Sequence, residues 1–202
     1  STTERLRIKS DGTTLINATT VNAGGAAPKL AIDVGDSNLH GITIQAGGGE
    51  NNGDLAGIAF GHGNTGDIAR PKAAIAHIRT GSYGVGDLCF YVDGAGDNNA
   101  VATGDERLRI TSSGQFLVGH TASHAIDLSH EFKVQVSGTN FPTSGISQQR
   151  FENAVSGATL ALAHSRNGTQ GSHTILQTDD EYGKIRFYGS DGTDFDGYGA
   201  AI

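Results

Sequence analysis

Apolar and charged residues alternate along the segment ERLRI, which runs from Glu106 to Ile110. In an extended chain, Leu108 and Ile110 share one face and Arg107 and Arg109 share the other, which is the period-two pattern of a half-buried strand. The next four residues, TSSG, end in glycine and suit a hairpin turn. The sequence therefore predicts an antiparallel hairpin that starts with ERLRI.

The predicted return strand of this hairpin, QFLVG, is apolar on both faces. Phe116 and Val118 point to one side and Leu117 to the other, and an earlier segment places Leu15 beside Ile16 in the same way. A strand with two apolar faces needs cover on both sides. We expect the core of the chain to provide one cover and a second chain to provide the other.

Similar short runs recur along the chain, separated by clusters of Gly, Asn, Asp and Ser that are typical of turns. One segment, SQQRFENAV, could be helical, although Gly157 follows it closely. The predicted class is all-β, with short antiparallel strands and hairpins. The other strand candidates are KLAIDV, GITIQ, GIAF, AAIAHI, LCFYV, FKVQV, TLALA, TILQ and KIRFY.

The order of these segments repeats, which indicates repeated structural units. ERLRI begins at Glu4 and again at Glu106, 102 residues later, and KLAIDV and KVQV begin 104 residues apart. GIAF and KIRF begin 127 residues apart, so the second unit is longer, by an expansion between Ile146 and Ile185. We predict the end of one unit at residues 1–19, a complete unit at 20–121, and an expanded unit, truncated at its end, at 122–202.

Composition predicts a thin core, because the chain has 8 Phe, 5 Tyr, no Trp and no Met. Cys89 is the only cysteine, so disulfides cannot stabilise the fold, and we expect it to be a small buried hydrophobe. Thin cores usually depend on repetition or association, and we expect a homotrimer. The predicted structural core comprises Leu6, Ile8, Ile16, Leu108, Ile110, Phe116, Val118, Ile58, Phe60, Ile185 and Phe187.

The charge pattern argues against two classes of partner. The net charge is −7 with only 14 Lys and Arg, and these form no basic run. Because nucleic-acid binding needs clustered positive charge, no nucleic-acid partner is expected. The sequence also lacks a stretch of about 18 apolar residues, so no membrane insertion is predicted.

Candidate ligand motifs are weak. GHGNTG matches a dinucleotide loop, but Pro71 would stop the helix that such a loop requires. Asp191, Asp194 and Asp196 lack the spacing of a calcium loop, so we interpret them as an acidic turn. His120 and His124 lack the helical context that their spacing would need for metal binding, although in a threefold assembly one histidine per chain could meet at the axis. We predict no catalytic residue, metal or cofactor. The sequence does not exclude a pair of carboxylates for glycoside hydrolysis, because the separation of such a pair is spatial.

The patterns ERLRI-x-S-x-G-x-x-L/V-x-G and G-x-IRF-x-GSDGT-x-F resemble repeats in tail fibre proteins of bacteriophages, notably marine phages. The resemblance covers most of the chain. It implies a non-enzymatic module of an elongated homotrimeric fibre, β-prism-like or intertwined, located in the extracellular virion. Its implied partners are other fibre or virion tail proteins and a host surface glycan or protein. The alternatives are a polysaccharide-depolymerising tailspike, for which the fold would be a parallel β-helix, and a bacterial surface adhesin with similar repeats.

Three tyrosines are candidate receptor contacts. Tyr83 lies in GSYGVGD, and Tyr182 and Tyr188 lie in the region from DDEYG to FYGSDGTDF. Tyrosine offers a rigid face and a hydroxyl with little side-chain entropy to lose, and loops tolerate variation. The alternative is that these tyrosines pack against the next unit along the fibre.

Overall fold

The computed structural model describes residues 6–8, 14–16, 30–32, 42–46, 51–61, 70–126, 130–153 and 155–202. The chain divides into two compact units, Ser1–Gly48 and Gly49–Ile202. The described residues are mostly β, which confirms the predicted all-β class. The strands are β1 Leu6–Ile8, β2 Thr14–Ile16, β3 Leu30–Ile32, β4 Leu55–Gly61, β5 Pro71–Arg79, β6 Gly86–Val92, β7 Glu106–Ile110, β8 Phe116–Val118, β9 Val134–Val136, β10 Arg186–Gly189 and β11 Gly197–Ala201.

The second unit is built on a six-stranded sheet in the order β4-β5-β6-β7-β8-β9. Neighbours are antiparallel except for β8 and β9, which are parallel. This meander differs from the alternative of a parallel β-helix, in which successive strands would pair in parallel. A separate two-stranded sheet joins β10 and β11, and short 3₁₀ turns lie at Ser82–Gly84, Thr103–Asp105 and Phe141–Thr143.

The predicted ERLRI hairpin is present as β7 and β8. Its turn places Gly114 at φ +77°, where glycine avoids the steric cost that a Cβ would bring. Two backbone hydrogen bonds close the turn. The Gly114 N–H donates to the Thr111 carbonyl at 2.8 Å, and the Thr111 N–H donates to the Gln115 carbonyl at 2.9 Å. The predicted turn chemistry and the predicted antiparallel pairing are therefore both confirmed.

The first unit contains a hairpin with the same register. β1 pairs with β2 through Leu6 and Ile16, and β2 runs parallel to β3. β7 pairs with β8 through Leu108 and Val118, and β8 runs parallel to β9. The β1–β2 pairs thus become the β7–β8 pairs when 102 is added to each residue number. The residues of β3 correspond in the same way to those of β9, 104 positions later.

The hairpins β4–β5 and β10–β11 also share a register. Phe60 pairs with Ala73, and Phe187 pairs with Ala200, each 127 positions further along the chain. The register shifts directly after Phe60 in the first hairpin and directly after Phe187 in the second. The pairs and the irregularity therefore coincide at one constant offset.

One side of the six-stranded sheet is covered by the chain itself. Ala76, Cys89 and Tyr91 form a buried cluster there, and Val101 from the connection between β6 and β7 packs against it. The Val101 N–H donates to the Pro71 carbonyl at 2.7 Å, which holds this connection against β5. Cys89 is fully buried, as predicted. We call this side the covered face.

Some segment predictions were wrong. GITIQ, TLALA and TILQ are not strands in the parts that the structure describes, and SQQRFENAV forms no helix over its described residues. Alternation alone cannot make a strand, since a strand also needs a hydrogen-bonded neighbour. These segments have the side-chain pattern of strands but no ladder partner within the described part of the chain.

Candidate functional site

The side of the sheet opposite the covered face carries a continuous apolar row. Directly paired residues on neighbouring strands project to the same side of a sheet. The pairing connects one large apolar residue on each of the six strands, so that the row crosses the whole sheet. Its members, in order from β4 to β9, are Ile58, Ile75, Phe90, Leu108, Val118 and Val136. We call this side the open face.

The adjacent row on the covered face has a different composition. It contains small or polar residues at five of its six positions, in the order Gly57, Ala76, Cys89, Arg109, Leu117 and Gln135. Of this row, Ala76, Cys89, Arg109, Leu117 and Gln135 are buried. The chain thus covers the more polar side of its own sheet, which reverses the usual arrangement in a soluble monomer.

The open face is solvent-exposed in the single chain. Ile58 and Phe60 are 50% and 52% exposed, and Val134 at the other end of the sheet is 63% exposed. Leu108 and Val118, near the centre, are half-buried. No described segment of this unit buries this face.

A single chain therefore does not bury the residues that the sequence predicts as the structural core. Leu108 and Val118 are only half-buried, and the side chain of Ile16 lies outside the described residues. The physical reason is that the connections of the chain pack on the opposite side, where Leu117 is fully buried. The predicted core residues that are exposed are Leu6, Ile8, Ile58, Phe60, Ile110, Phe116, Ile185 and Phe187.

The covered face holds a buried charge cluster formed by the repeated ERLRI motif. Arg109 contacts Glu106 through two parallel hydrogen bonds, at 2.8 Å from Nε and 2.7 Å from Nη2, and contacts Asp87 at 2.7 Å. Hydrogen bonding to Glu106 first, and then to Asp87, raises the pKa of Arg109. Asp87 also accepts the Ser112 N–H at 2.8 Å. The motif thus links β6, β7 and the hairpin turn.

A small apolar cavity of about 190 Å³ adjoins the cluster of Ala76 and Tyr91. It is lined on the sheet side by Leu55 and on the loop side by Val101 and Thr103. Burial, and then the neighbouring thiol of Cys89, raises the pKa of Tyr91. Its neutral phenol fits an apolar packing role.

Tyr83 is fully exposed at the tip of the β5–β6 connection. Its backbone is left-handed, with φ +57° and ψ +26°, which is an unusual conformation for a bulky residue. The turn is closed by the Gly81 and Thr80 N–H groups, which both donate to the Val85 carbonyl at 2.9 Å. The loop therefore presents an aromatic side chain to solvent at a cost in backbone strain.

The structure separates the other two candidate tyrosines by environment. Tyr182 is exposed, whereas Tyr188 in β10 is half-buried and packs edge-on against Tyr198 with ring centroids 6.0 Å apart. The Tyr188 hydroxyl accepts a hydrogen bond from Arg186 at 3.2 Å. Sequence reasoning missed Tyr198, although the offset of 127 residues places it opposite Tyr188 in the hairpin. Within the described part of the chain, neither Tyr182 nor Tyr188 has a ring contact with Tyr83.

The acidic turn and the histidine pair do not form a metal site in the described part of the chain, where no group of three potential ligands occurs. Asp191 accepts the N–H groups of Thr193 and Asp194, which lowers its pKa and accounts for its position as a turn residue. His120 stacks on His124 at 5.1 Å. Most of GHGNTG lies outside the described residues.

A scan against family models and searches of curated proteins and of solved structures found no match to this chain. Within the described ranges, no helix has the length and apolar character needed to cross a membrane.

Proposed function

We infer that the chain is a non-enzymatic, repeat-built module of a bacteriophage tail fibre that assembles as a homotrimer and takes part in attachment to the host cell. The observation that carries this proposal is the register match between hairpins 102 and 127 residues apart. A fibre gains length by repeating a unit that needs to pack only on its neighbours.

The exposed apolar surface supports association of chains. Among the described residues, the buried hydrophobic core consists of Ala76, Cys89, Tyr91 and Leu117. Several large apolar side chains of the open face are exposed, among them Ile58, Phe60 and Val134. A closed assembly would bury part of this apolar surface and would protect the edges of the short strands.

The attachment role is supported by the placement of Tyr83. A fully exposed tyrosine in a strained backbone gains no contact within its loop that would offset the strain. An outside contact, with a host glycan or protein or with a neighbouring fibre unit, would provide the missing interaction. Other fibre or virion tail proteins would complete the particle.

Sedimentation equilibrium tests the assembly. We expect three times the chain mass of 20.8 kDa, and electron microscopy of the same sample should show elongated particles. A stable, well-folded monomer at micromolar concentration would contradict the trimer. Blocking of phage adsorption by the purified chain would support a direct role in attachment.

Incubation with host capsule or lipopolysaccharide distinguishes the fibre module from a depolymerase. We expect no release of oligosaccharides, and sustained release would replace the proposal with the tailspike alternative. The genes next to the coding sequence would distinguish a virion protein from a bacterial adhesin.

A further inference from the structure

We propose that the open face is the surface through which copies of this chain associate, so that the apolar rows of neighbouring copies form the core of the assembly. The inference rests on the proposed homotrimer and names the surface that builds it. In a threefold arrangement, three such sheets would turn their open faces towards the axis, and each would be covered by the other two.

The two faces of the sheet differ in polarity. In β6 the covered face carries Asp87, Cys89 and Tyr91, whereas the open face carries Leu88 and Val92, both exposed. A sheet that buried only the covered face, with its mixture of small, polar and apolar residues, would leave the continuous apolar row of the open face in water, although burial of apolar area is the dominant favourable term in folding. The fold is therefore completed only when another surface covers the open face.

The open face of the sheet carries little charge. Its paired positions include His77 opposite Leu88, and Arg79 opposite Gly86 at one end of the sheet, and contain no carboxylate. A basic partner would find no carboxylate to pair with here, whereas an identical apolar face would meet no like charge along the central row.

The apolar row extends across the whole sheet. It crosses six strands, so its outer members lie roughly 24 Å apart at a strand spacing of about 4.8 Å. Obligate homo-oligomer interfaces are large and are the most apolar class of interface. The open face has the apolar composition of that class along its full width.

A pair of matched substitutions tests the inference on the full chain. Ile75→Asp places a charge in the apolar row of the open face, and Ile175→Asp makes the same change at an isoleucine that is 85% exposed outside the sheet. We expect the wild type and Ile175→Asp to sediment as assemblies and Ile75→Asp to sediment as a single chain. Circular dichroism verifies that the variants keep their β content.

Thiol labelling tests the same surface without a disruptive charge. Cys89 is fully buried, so the wild type measures the background reaction with a maleimide. We expect Ile75→Cys to react at least about tenfold more slowly than Ile175→Cys in the assembled protein, because reaction requires opening of the interface.

The outcomes separate this inference from the proposed function. Equal labelling of Ile75→Cys and Ile175→Cys in a protein that sediments as a trimer would overturn the inference and leave the fibre proposal in place. A wild-type protein that sediments as a single chain would overturn both the inference and the trimer. A dimer with Ile75→Cys protected would support the inference and contradict the threefold arrangement.

Discussion

Individual residues of ERLRI differ sharply in role although they alternate regularly. Arg109 is buried between two carboxylates, whereas Arg107 is exposed and has its nearest carboxylate, Asp105, at 3.9 Å. Both arginines look alike in the sequence pattern. Their difference depends on Asp87, which lies on the neighbouring strand and is 22 residues away from Arg109.

Replacing Arg109 should destabilise the fold strongly. Arg109→Ala leaves Glu106 and Asp87 buried without their partner, and the loss of one member of a buried ion pair costs about 3–5 kcal/mol. Arg107→Ala is the control, with an expected cost of about 0–1 kcal/mol for an exposed pair. Urea unfolding at one fixed protein concentration measures the free energy of unfolding of both variants. Equal losses for Arg109→Ala and Arg107→Ala would contradict a stabilising role of the buried cluster.

The Asp180 carboxyl should titrate at unusually low pH. The guanidinium of Arg166, at 2.5 and 2.7 Å, and then the Gln177 N–H, at 2.8 Å, lower its pKa. The charged form is favoured in the folded state, so its stabilisation is complete above the unfolded pKa of about 3.9 and is lost as the pH falls through the lower folded pKa.

Carbon-detected NMR of the carboxyl groups measures this midpoint. Arg166→Ala should raise the midpoint towards the ordinary aspartate value. Lys184→Ala is the control, since Lys184 pairs with Glu181 and the midpoint of Asp180 should stay low. A midpoint that is the same in Arg166→Ala and in the wild type would contradict the assigned cause.

At the scale of elements, the return strand β8 has two apolar faces with different fates. Leu117 is fully buried on the covered face, whereas Phe116 is 39% exposed on the open face. The sequence pattern required cover for both sides of this strand. Among the described residues, only the side with Leu117 is covered.

Truncation on the two faces of β8 should therefore have different consequences. Leu117→Ala should lower the free energy of unfolding of the chain itself by about 2–5 kcal/mol, the range for a buried leucine. Phe116→Ala should chiefly weaken association. In a dilution series, the variant should dissociate at a higher protein concentration than the wild type does. Equal association constants for Phe116→Ala and the wild type would place the interface away from β8.

At the scale of the whole molecule, the tyrosine proposed for host contact lies apart from the repeated strands. The paired strands carry the repeated registers, while Tyr83 lies on a connection between strands. Loops carried by a rigid scaffold are the usual place for binding residues. Tyr188 is a weaker candidate, because it already packs against Tyr198 and accepts a hydrogen bond from Arg186.

Tyr83→Ala should reduce binding to host cells while leaving the assembly intact. The exposed ring makes no packing contribution that its loss would remove, and an alanine loses the aromatic face that a sugar ring would contact. Val85→Ala, an exposed residue in the same connection, is the control. Cell-binding and sedimentation measurements on both variants check the two expectations. Unchanged adsorption after alanine substitution of Tyr83, Tyr182 and Tyr188 together would make this module part of the shaft.

The local elements follow from the sequence pattern alone. Alternation at ERLRI, the glycine at the end of TSSG and the constant offsets predicted the β7–β8 hairpin and its counterpart in the first unit. These features are local because side-chain period and turn geometry depend on neighbouring residues. The candidates TLALA and TILQ were predicted wrongly, because a side-chain pattern does not show whether a neighbouring strand is available for hydrogen bonding.

Which side of the sheet is covered depends on contacts between distant segments and does not follow from the sequence pattern. Alternation shows that Leu108 and Ile110 share a face, but the cover of that face depends on where distant connections pack. The connection that carries Val101 packs opposite to them, on the side of Cys89 and Tyr91. The described residues consequently leave the apolar side open, because burial is a property of long-range packing and is not encoded in the period of a strand.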